Sequence, residues 1–357
     1  MNKLIRVLLI LAIALTSVYG IAGCGGVNAP DNKPTYTAPT TLNSGVVASD
    51  TYYVSETGDD NGLGTEESPF RSLQAGLLAV KTFKNSVNAD MDIVVSGDVY
   101  LHEELVIDGS YNLPSNHVLT IRSKDGEKAI LNGGTRITNW TETDVNGHKV
   151  WVAKISDEDS VRSFSVNGSM RPLAARFNEL NSMHKMMSRA SWKWAIEGEE
   201  TQIKILDDSV DLTKLHNPTQ LEIAMICEWK TFIFKTASII SKDTVELLQP
   251  YASWFTTPAS VGNLDPGGHW YPNPKHGLWL QNDVSLIDER GEWCFDKSEK
   301  QLYYYPMEGE TITDTHCVAA RLDQPIGVQG GKDSNNRFTM VKNVRFEGIT
   351  FMMGPHF

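Results

Sequence analysis

The sequence predicts an all-β protein, and three features carry that prediction. Between residues 91 and 139, short runs rich in Val, Ile and Leu are separated by turn residues, and no helical pattern interrupts them. From residue 140 to about 318 the runs alternate polar and apolar residues, as half-buried antiparallel strands do. After residue 318 short apolar runs return. Strands at this spacing fit a sandwich or a parallel solenoid, and periodicity alone leaves both open.

Composition and charge set broad limits on function. The 357 residues are enough for two domains with real cores, and 21% charged and 41% hydrophobic residues are ordinary for a globular protein. The formal net charge of −12 argues against a nucleic-acid partner, which normally meets a basic face.

The N-terminus has the organisation of a lipoprotein signal. Lys3 and Arg6 form a positively charged region, and residues 7–15 form an apolar segment of signal-peptide length. Polar residues then interrupt the apolar run and leave it short for a membrane span, so an uncleaved anchor is the less favoured alternative. Residues 21–24, Ile-Ala-Gly-Cys, resemble the bacterial lipobox.

This pattern predicts a signal peptide over residues 1–23 and a lipid chain on Cys24. Such a lipid buries its methylenes in the bilayer, so we expect a membrane-anchored protein of the cell envelope, outside the cytoplasm. Residues 24–50 are rich in Pro, Thr, Asn and Gly and are predicted to be a flexible tether.

The other cysteines do not describe a disulfide framework. Cys227, Cys294 and Cys317 form an odd set without CxxC spacing, so we expect small buried hydrophobic residues rather than a zinc site. No metal and no cofactor is predicted.

The folded region is predicted to begin near Thr51. A strand at Tyr52–Val54 and a Gly/Asp loop at 57–68 precede an amphipathic helix that begins at Pro69. The following strands are predicted at 91–97, 99–107, 117–123 and 128–134. In the middle region, the alternating runs are 149–155, 162–168, 220–226 and 300–306, and residues 180–198 are left as a helix or a long loop. The last strands are predicted at 326–328, 338–341 and 344–351, with a kink at Gly348.

Several segments resemble exported right-handed parallel β-helix proteins. "YYVSETGDDNGLGTEESPFRSLQAGL" is similar to their N-terminal cap, and "LTIRSKDGEKAILNGGTRITNW" looks like the turns that follow. "FSVNGSMRPLAARF" and "GLWLQNDVSLIDERGEWCFDKSEKQLYYYP" resemble a β-rich insertion found there. The resemblance covers roughly residues 51 to 357, and it is nearest to carbohydrate-active enzymes such as glycoside hydrolase family 141 and certain polysaccharide lyases.

The resemblance implies a cap and first β-helix turns over residues 51–139. It implies an inserted β-rich, sandwich-like domain over 140–318 and a return to β-helix over 319–357. A solenoid buries each turn on its neighbour and closes with a capping repeat. Because about one uncapped turn follows residue 319, we expect a C-terminally truncated part of a longer protein, with catalytic turns after Phe357. A complete short protein is the less favoured alternative.

No catalytic residue is identified from the sequence. The run 327–334 fails the phosphate-loop pattern, and the acidic run 58–67 fails the EF-hand pattern. A structural turn and strand is predicted around Asp288, Glu289, Glu292 and Asp296. A solvated strand face is predicted for Glu222 and Glu228.

The segment 269–279 is the candidate for glycan contact, because it gathers histidines and aromatic rings of the kind that stack on sugars. The candidate residues are His269, Trp270, His276 and Trp279. An equally weighted alternative is a packed loop with its tryptophans buried.

The function implied by the resemblance is the processing of a polysaccharide substrate, foremost by glycoside hydrolysis. Two alternatives stay open: a polysaccharide lyase on the same scaffold, and a non-catalytic protein that binds glycan or mediates adhesion. Facing carboxylates would favour hydrolysis, and Lys and Arg with a bound metal would favour elimination.

Overall fold

The computed structural model describes residues 36–176, 190–193, 202–205, 211–227, 230–248, 278–332 and 335–352. These residues form a mostly β protein with several sheets and one α-helix. The N-terminal elements are β1 (Thr51–Ser55), α1 (Leu73–Phe83), β2 (Met91–Tyr100), β3 (Leu105–Ile107), β4 (Leu119–Ser123) and β5 (Ala129–Asn132).

Fifteen further strands of the described chain follow between residues 134 and 320. They are β6 (Gly134–Ile137), β7 (Thr141–Val145), β8 (His148–Lys154), β9 (Phe164–Val166), β10 (Ser169–Met170), β11 (Ala175–Arg176), β12 (Ala190–Lys193), β13 (Gln202–Ile205), β14 (Glu222–Cys227), β15 (Lys230–Ser241), β16 (Thr244–Leu247), β17 (Leu278–Gln281), β18 (Trp293–Asp296), β19 (Gln301–Tyr304) and β20 (Cys317–Ala320). The last strands are β21 (Ile326–Val328), β22 (Gly331–Lys332), β23 (Phe338–Thr339), β24 (Val344–Glu347) and β25 (Ile349–Met352).

Helix α1 begins later than the sequence predicts. Residue Ser72 caps it, accepting a hydrogen bond from the backbone N–H of Ala75 at 3.1 Å, so the helix starts at Leu73 and not at Pro69. Phe70 instead continues the strand contact, donating its N–H to the carbonyl of Tyr53 at 2.9 Å. A serine side chain that satisfies an orphan helix N–H outweighs the proline signal here.

The loop before α1 is ordered by one carboxylate. Asp60 Oδ1 accepts the backbone N–H groups of Arg71 and Ser72 at 2.9 and 2.8 Å. This acidic residue therefore anchors the start of the helix.

Strand β2 bends at Gly97 and contributes to two sheets. Its first half, Met91–Val95, pairs in parallel with β4, and its second half, from Gly97 to Tyr100, pairs in parallel with β5. Gly97 has a φ of +79°, a conformation that a residue with a Cβ rarely adopts. The predicted kink at Gly348 is confirmed as the equivalent bend, with φ +67° between β24 and β25.

These bends stack one above another, and we call β1–β5, β21, β24 and β25 the parallel stack. Strands β1, β2, β4 and β24 lie side by side with Ile93, Ile121 and Phe346 in register. Strands β2, β5 and β25 form the next face, and β3 pairs with β21 on a third. All these pairs are parallel.

Residues 133–325 form one very long connection in this stack. The chain passes from β2 to β3 through residues 101–104, but it passes from β5 to β21 through residues 133–325. Strands β6 and β20 pair antiparallel at the two ends of that connection, with Gly134 opposite Ala320. We call this pair the neck and the strands β6–β20 the antiparallel block.

The antiparallel block has three sheet layers rather than the two of a sandwich. The middle layer has the strand order β18-β19-β8-β7, and it lies between a seven-stranded sheet and the sheet β10-β9-β20-β6. Along β8, Val150 and Val152 face the first neighbour, while Trp151 and Ala153 face the second. The prediction of a half-buried strand is therefore wrong at β8, because both faces of this strand pack against a hydrophobic core.

The second of these cores is aromatic. Phe164 is fully buried, with ring centroids 6.2, 5.8 and 5.2 Å from those of Trp140, Trp293 and Tyr304. Tilted and edge-to-face arrangements at these distances add to the stabilisation from burial alone.

Candidate functional site

Three of the predicted glycan-contact residues, His269, Trp270 and His276, lie outside the described part of the chain. Cys24, the predicted lipidation site, also lies outside it. Trp279 is described on β17, where its indole N–H donates to Gln281 Oε1 at 2.7 Å. Trp279 is half-buried.

The prediction of a solvated face for Glu222 is wrong. Its side chain is 5% exposed and forms an ion pair with Arg162, with Nη1 2.7 Å from Oε1. Its other oxygen accepts a hydrogen bond from Gln281 Nε2 at 2.9 Å. Both carboxylate oxygens are thus occupied, which makes Glu222 a structural anion between sheets rather than a free acid or base. Glu228 lies outside the described residues.

The prediction of a structural turn and strand around residues 288–296 is confirmed. Glu292 Oε2 accepts the backbone N–H groups of Asp288 and Glu289 at 2.9 and 3.0 Å. Asp296 is fully buried at the end of β18, and its Oδ1 accepts the N–H groups of Ser298 and Glu299. These carboxylates cap turns.

Two of the remaining cysteines behave as the sequence predicts. Cys294 and Cys317 are free and buried. Burial raises the pKa of both thiols, that of Cys317 to about 12. They are therefore inert as nucleophiles at neutral pH. Within the described ranges, no group of His, Cys, Asp and Glu is arranged to hold a metal ion. Among these same residues, no helix has the length and apolar character to cross a membrane.

A polar groove lies on the outer face of the parallel stack, and we call it the outer groove. Its volume is about 350 Å³, within the size range of small-ligand sites. Strand β1 contributes Tyr53 and Ser55, and β2 contributes Ser96. The loop before α1 contributes Glu66 and Glu67 to the lining, and the turn after β4 contributes Lys124.

Strand alternation explains how the outer groove forms. Along β1 the residues Tyr52 and Val54 are buried under α1, so Tyr53 and Ser55 must face outward. In the parallel register Tyr53 lies opposite Val94, and Ser55 lies opposite Ser96. The groove therefore combines one aromatic ring with rows of small polar side chains, which is the composition of a surface that contacts sugar rings and their hydroxyls.

A second polar cluster joins the parallel stack to the antiparallel block. The Tyr100 hydroxyl donates to Asp98 Oδ2 at 3.1 Å and lies 3.0 Å from His316 Nε2. Asn132, the parallel neighbour of Tyr100, donates to Asp98 Oδ1 at 3.1 Å. Burial, and next the charge of Asp98, raise the pKa of Tyr100. The phenol therefore remains a hydrogen-bond donor, and the cluster positions the segment before β20 rather than acting as a base.

Sequence reasoning missed the outer groove because its residues belong to four separate segments. The alternation of β1 was the available signal for Tyr53 and Ser55. Nothing in the local sequence indicates that Lys124 would approach Glu66, with Nζ 3.4 Å from Oε1.

Three comparisons with known proteins bear on this architecture. Residues 148–307 match the family model described as the GH141 insertion domain. A search of curated proteins found no match. A solved structure titled "Glycoside hydrolase" aligns with a TM-score of 0.64 at 22% identity, over 85% of this chain and 51% of that one. The chain thus spans about half of that structure's length.

A second solved structure, the complex of XylC with xylose, aligns at a TM-score of only 0.21 and 14% identity, over 79% of this chain and 35% of that one. That likeness is too low to support any inference. The comparisons show that residues 148–307 are similar to the GH141 insertion domain and that the chain shares the fold of about half of a solved structure titled "Glycoside hydrolase".

Proposed function

We propose that this chain is part of a glycoside hydrolase that acts on polysaccharides. It contributes the first turns of a right-handed parallel β-helix and an inserted β domain. The observation that carries the proposal is the match of residues 148–307 to the GH141 insertion domain, because that segment lies within one connection of the parallel stack. An insertion must leave and re-enter its host at neighbouring points, and the neck provides such points.

We further propose a division of the chain at residues 51–139, 140–318 and 319–357. The parallel pairing of β4 with β24 and of β5 with β25 supports it, since strands from the first and last segments then belong to one scaffold. We also propose that Cys24 carries a lipid and holds the protein in the cell envelope, with residues 24–50 as tether. The charge and hydropathy pattern of the first 24 residues supports that placement.

The test of activity uses the purified protein expressed from its natural reading frame, including any residues encoded after Phe357, with a panel of neutral and acidic polysaccharides. Hydrolysis releases new reducing ends without a carbon–carbon double bond. Elimination by a lyase instead leaves an unsaturated uronate at the new non-reducing end, which absorbs ultraviolet light. New saturated ends support the proposal, unsaturated ends replace it with the lyase, and binding without turnover replaces it with the glycan-binding protein.

The anchor has a separate test. Metabolic labelling with a fatty acid should mark the wild-type protein and not a Cys24→Ser variant. Equal labelling of the two would contradict the assignment of Cys24.

A further inference from the structure

The outer groove carries more negative than positive charge, and this limits what it can bind. Lys124 is held by two carboxylates, with Nζ 3.0 Å from Glu127 Oε1 and 3.4 Å from Glu66 Oε1. The hydrogen bond to Glu127, followed by that to Glu66, raises the pKa of Lys124 and keeps it a cation. Glu67 adds a further carboxylate to the lining.

The neighbouring cation on the same face is also neutralised. Arg122 lies next to Val94 in the parallel register, and its Nε donates to Asp92 Oδ2 at 2.7 Å. Its Nη1 is 3.6 Å from Asp125 Oδ1. This face therefore presents five carboxylates around two cations, and neither cation is left to pair with an anionic ligand.

The groove instead offers hydrogen-bonding groups and an aromatic ring. Ser55 and Thr57 place their hydroxyl oxygens 3.3 Å apart at one side, and the half-buried Tyr53 and Ser96 line the floor beside them. Exposed carboxylates accept hydrogen bonds from pairs of sugar hydroxyls, while the tyrosine face packs on the apolar C–H face of a pyranose. Uncharged sugars can form hydrogen bonds with the hydroxyls and carboxylates and pack on the tyrosine ring, and they add no negative charge to the groove.

We propose that the outer groove is a binding subsite for neutral sugar residues of a polysaccharide and that it disfavours polyuronates. The inference rests on the proposed function for its ligand class, but it concerns binding on the first turns and not the site of bond cleavage. A uronate carboxylate entering the groove would lie within a few ångströms of Glu66 and Glu67, where like charges repel and where salt weakens the repulsion.

The test measures binding to the full-length protein without turnover, by affinity gel electrophoresis and calorimetry. The probes are neutral xylo-, manno- and gluco-oligosaccharides, and oligogalacturonate is the acidic probe. We expect at least one neutral probe to bind at least tenfold more tightly than oligogalacturonate at low salt, and the difference to narrow at high salt. Tyr53→Ala should weaken that neutral binding about tenfold, whereas Tyr53→Phe should retain most of it.

Two variants sharpen the outcome. Glu67→Gln should strengthen oligogalacturonate binding several-fold, because it removes a repelling charge. Phe338→Ala is the matched control, since it removes an aromatic ring that is 83% exposed but lies away from the groove. Far-ultraviolet circular dichroism verifies that each variant is folded.

The inference is overturned if Tyr53→Ala binds all neutral probes as the wild type does, or if oligogalacturonate is the preferred ligand. If the protein cleaves a glycan and Tyr53→Ala binds the neutral probes as the wild type does, the outer groove is not a sugar-binding subsite, and the proposed function stands. Loss of binding in Tyr53→Ala, in a protein that never cleaves a glycan, would retain the groove and refute the hydrolase.

Discussion

Arg162→Met is the substitution whose effect the structure defines most sharply. It removes the guanidinium that pairs with Glu222 at 2.7 Å and leaves a carboxylate that is 5% exposed with Gln281 as its remaining partner. A pair of unit charges about 4 Å apart interacts by about 4 kcal/mol at an effective dielectric constant of 20 and by about 1 kcal/mol in water. Breaking a fully buried pair costs about 3–5 kcal/mol.

The Arg162 side chain is 37% exposed, so solvent screens part of this interaction. We therefore expect Arg162→Met to lower the free energy of unfolding by about 2–3 kcal/mol. The assay is urea unfolding followed by tryptophan fluorescence, for which the buried Trp140, Trp151 and Trp293 are reporters.

Glu222→Gln is the matched control. It removes the buried charge but keeps an amide that can bond to Gln281, and the remaining Arg162 can reach solvent, so we expect a loss of about 1 kcal/mol. In the double variant the two losses should not add, because the second substitution removes the charge that the first left unpaired. An Arg162→Met protein within about 0.5 kcal/mol of wild type, or strict additivity, would refute the reasoning.

Three further predictions follow from burial and close contact. Phe164→Ala should cost about 3–5 kcal/mol in the same urea assay, and Phe164→Leu clearly less, because the alanine leaves a cavity among the rings of the aromatic core; similar losses would contradict a packed cluster. Gly134→Ala should cost about 2 kcal/mol, since its added Cβ would lie 2.5 Å from the carbonyl oxygen of Ala319, whereas Gly331→Ala, with open space around it, should be tolerated. Burial raises the pKa of Glu158 from 4.5 to about 7, so the folded state holds a proton that the unfolded state has released in that interval, and stability should fall as pH rises from about 4.5 to 7. Glu158→Gln should remove part of this fall, with equal melting temperatures at pH 4 and a higher one than wild type at pH 8; parallel curves for the two proteins would contradict the assignment.

Much of the local structure could be predicted because strands of the parallel stack carry their own signal. Runs such as those around Ile93 and Ile121 are apolar at alternate positions, and Gly348 lacks the Cβ that disfavours the positive φ observed there. The partner of each strand could not be predicted. The pairing of Val106 with Gly327, for example, depends on register across more than two hundred residues.

The errors have a common physical cause, which is a contact from a distant segment. The sequence around Glu222 fits a solvated strand face, but in the folded protein Arg162, in the segment that precedes β9, pairs with its carboxylate. Val150 and Trp151 on β8 face two different cores because three layers stack, a fact that alternation within one strand cannot reveal. The outer groove could not be predicted for the same reason, because the turn that contains Lys124 meets the loop that contains Glu66 only in the folded stack.

The neck also has a consequence for how the chain folds. Closing a flexible loop costs chain entropy that grows with the logarithm of its length. Once β6 has paired with β20, the passage from β5 to β21 behaves as a loop of about ten residues instead of about two hundred, which lowers the closure cost by about 2–3 kcal/mol. The antiparallel block then adds no more closure entropy to the folding of the parallel stack than a short turn does. A domain of another size could replace the antiparallel block, provided that its first and last strands pair with each other as β6 and β20 do.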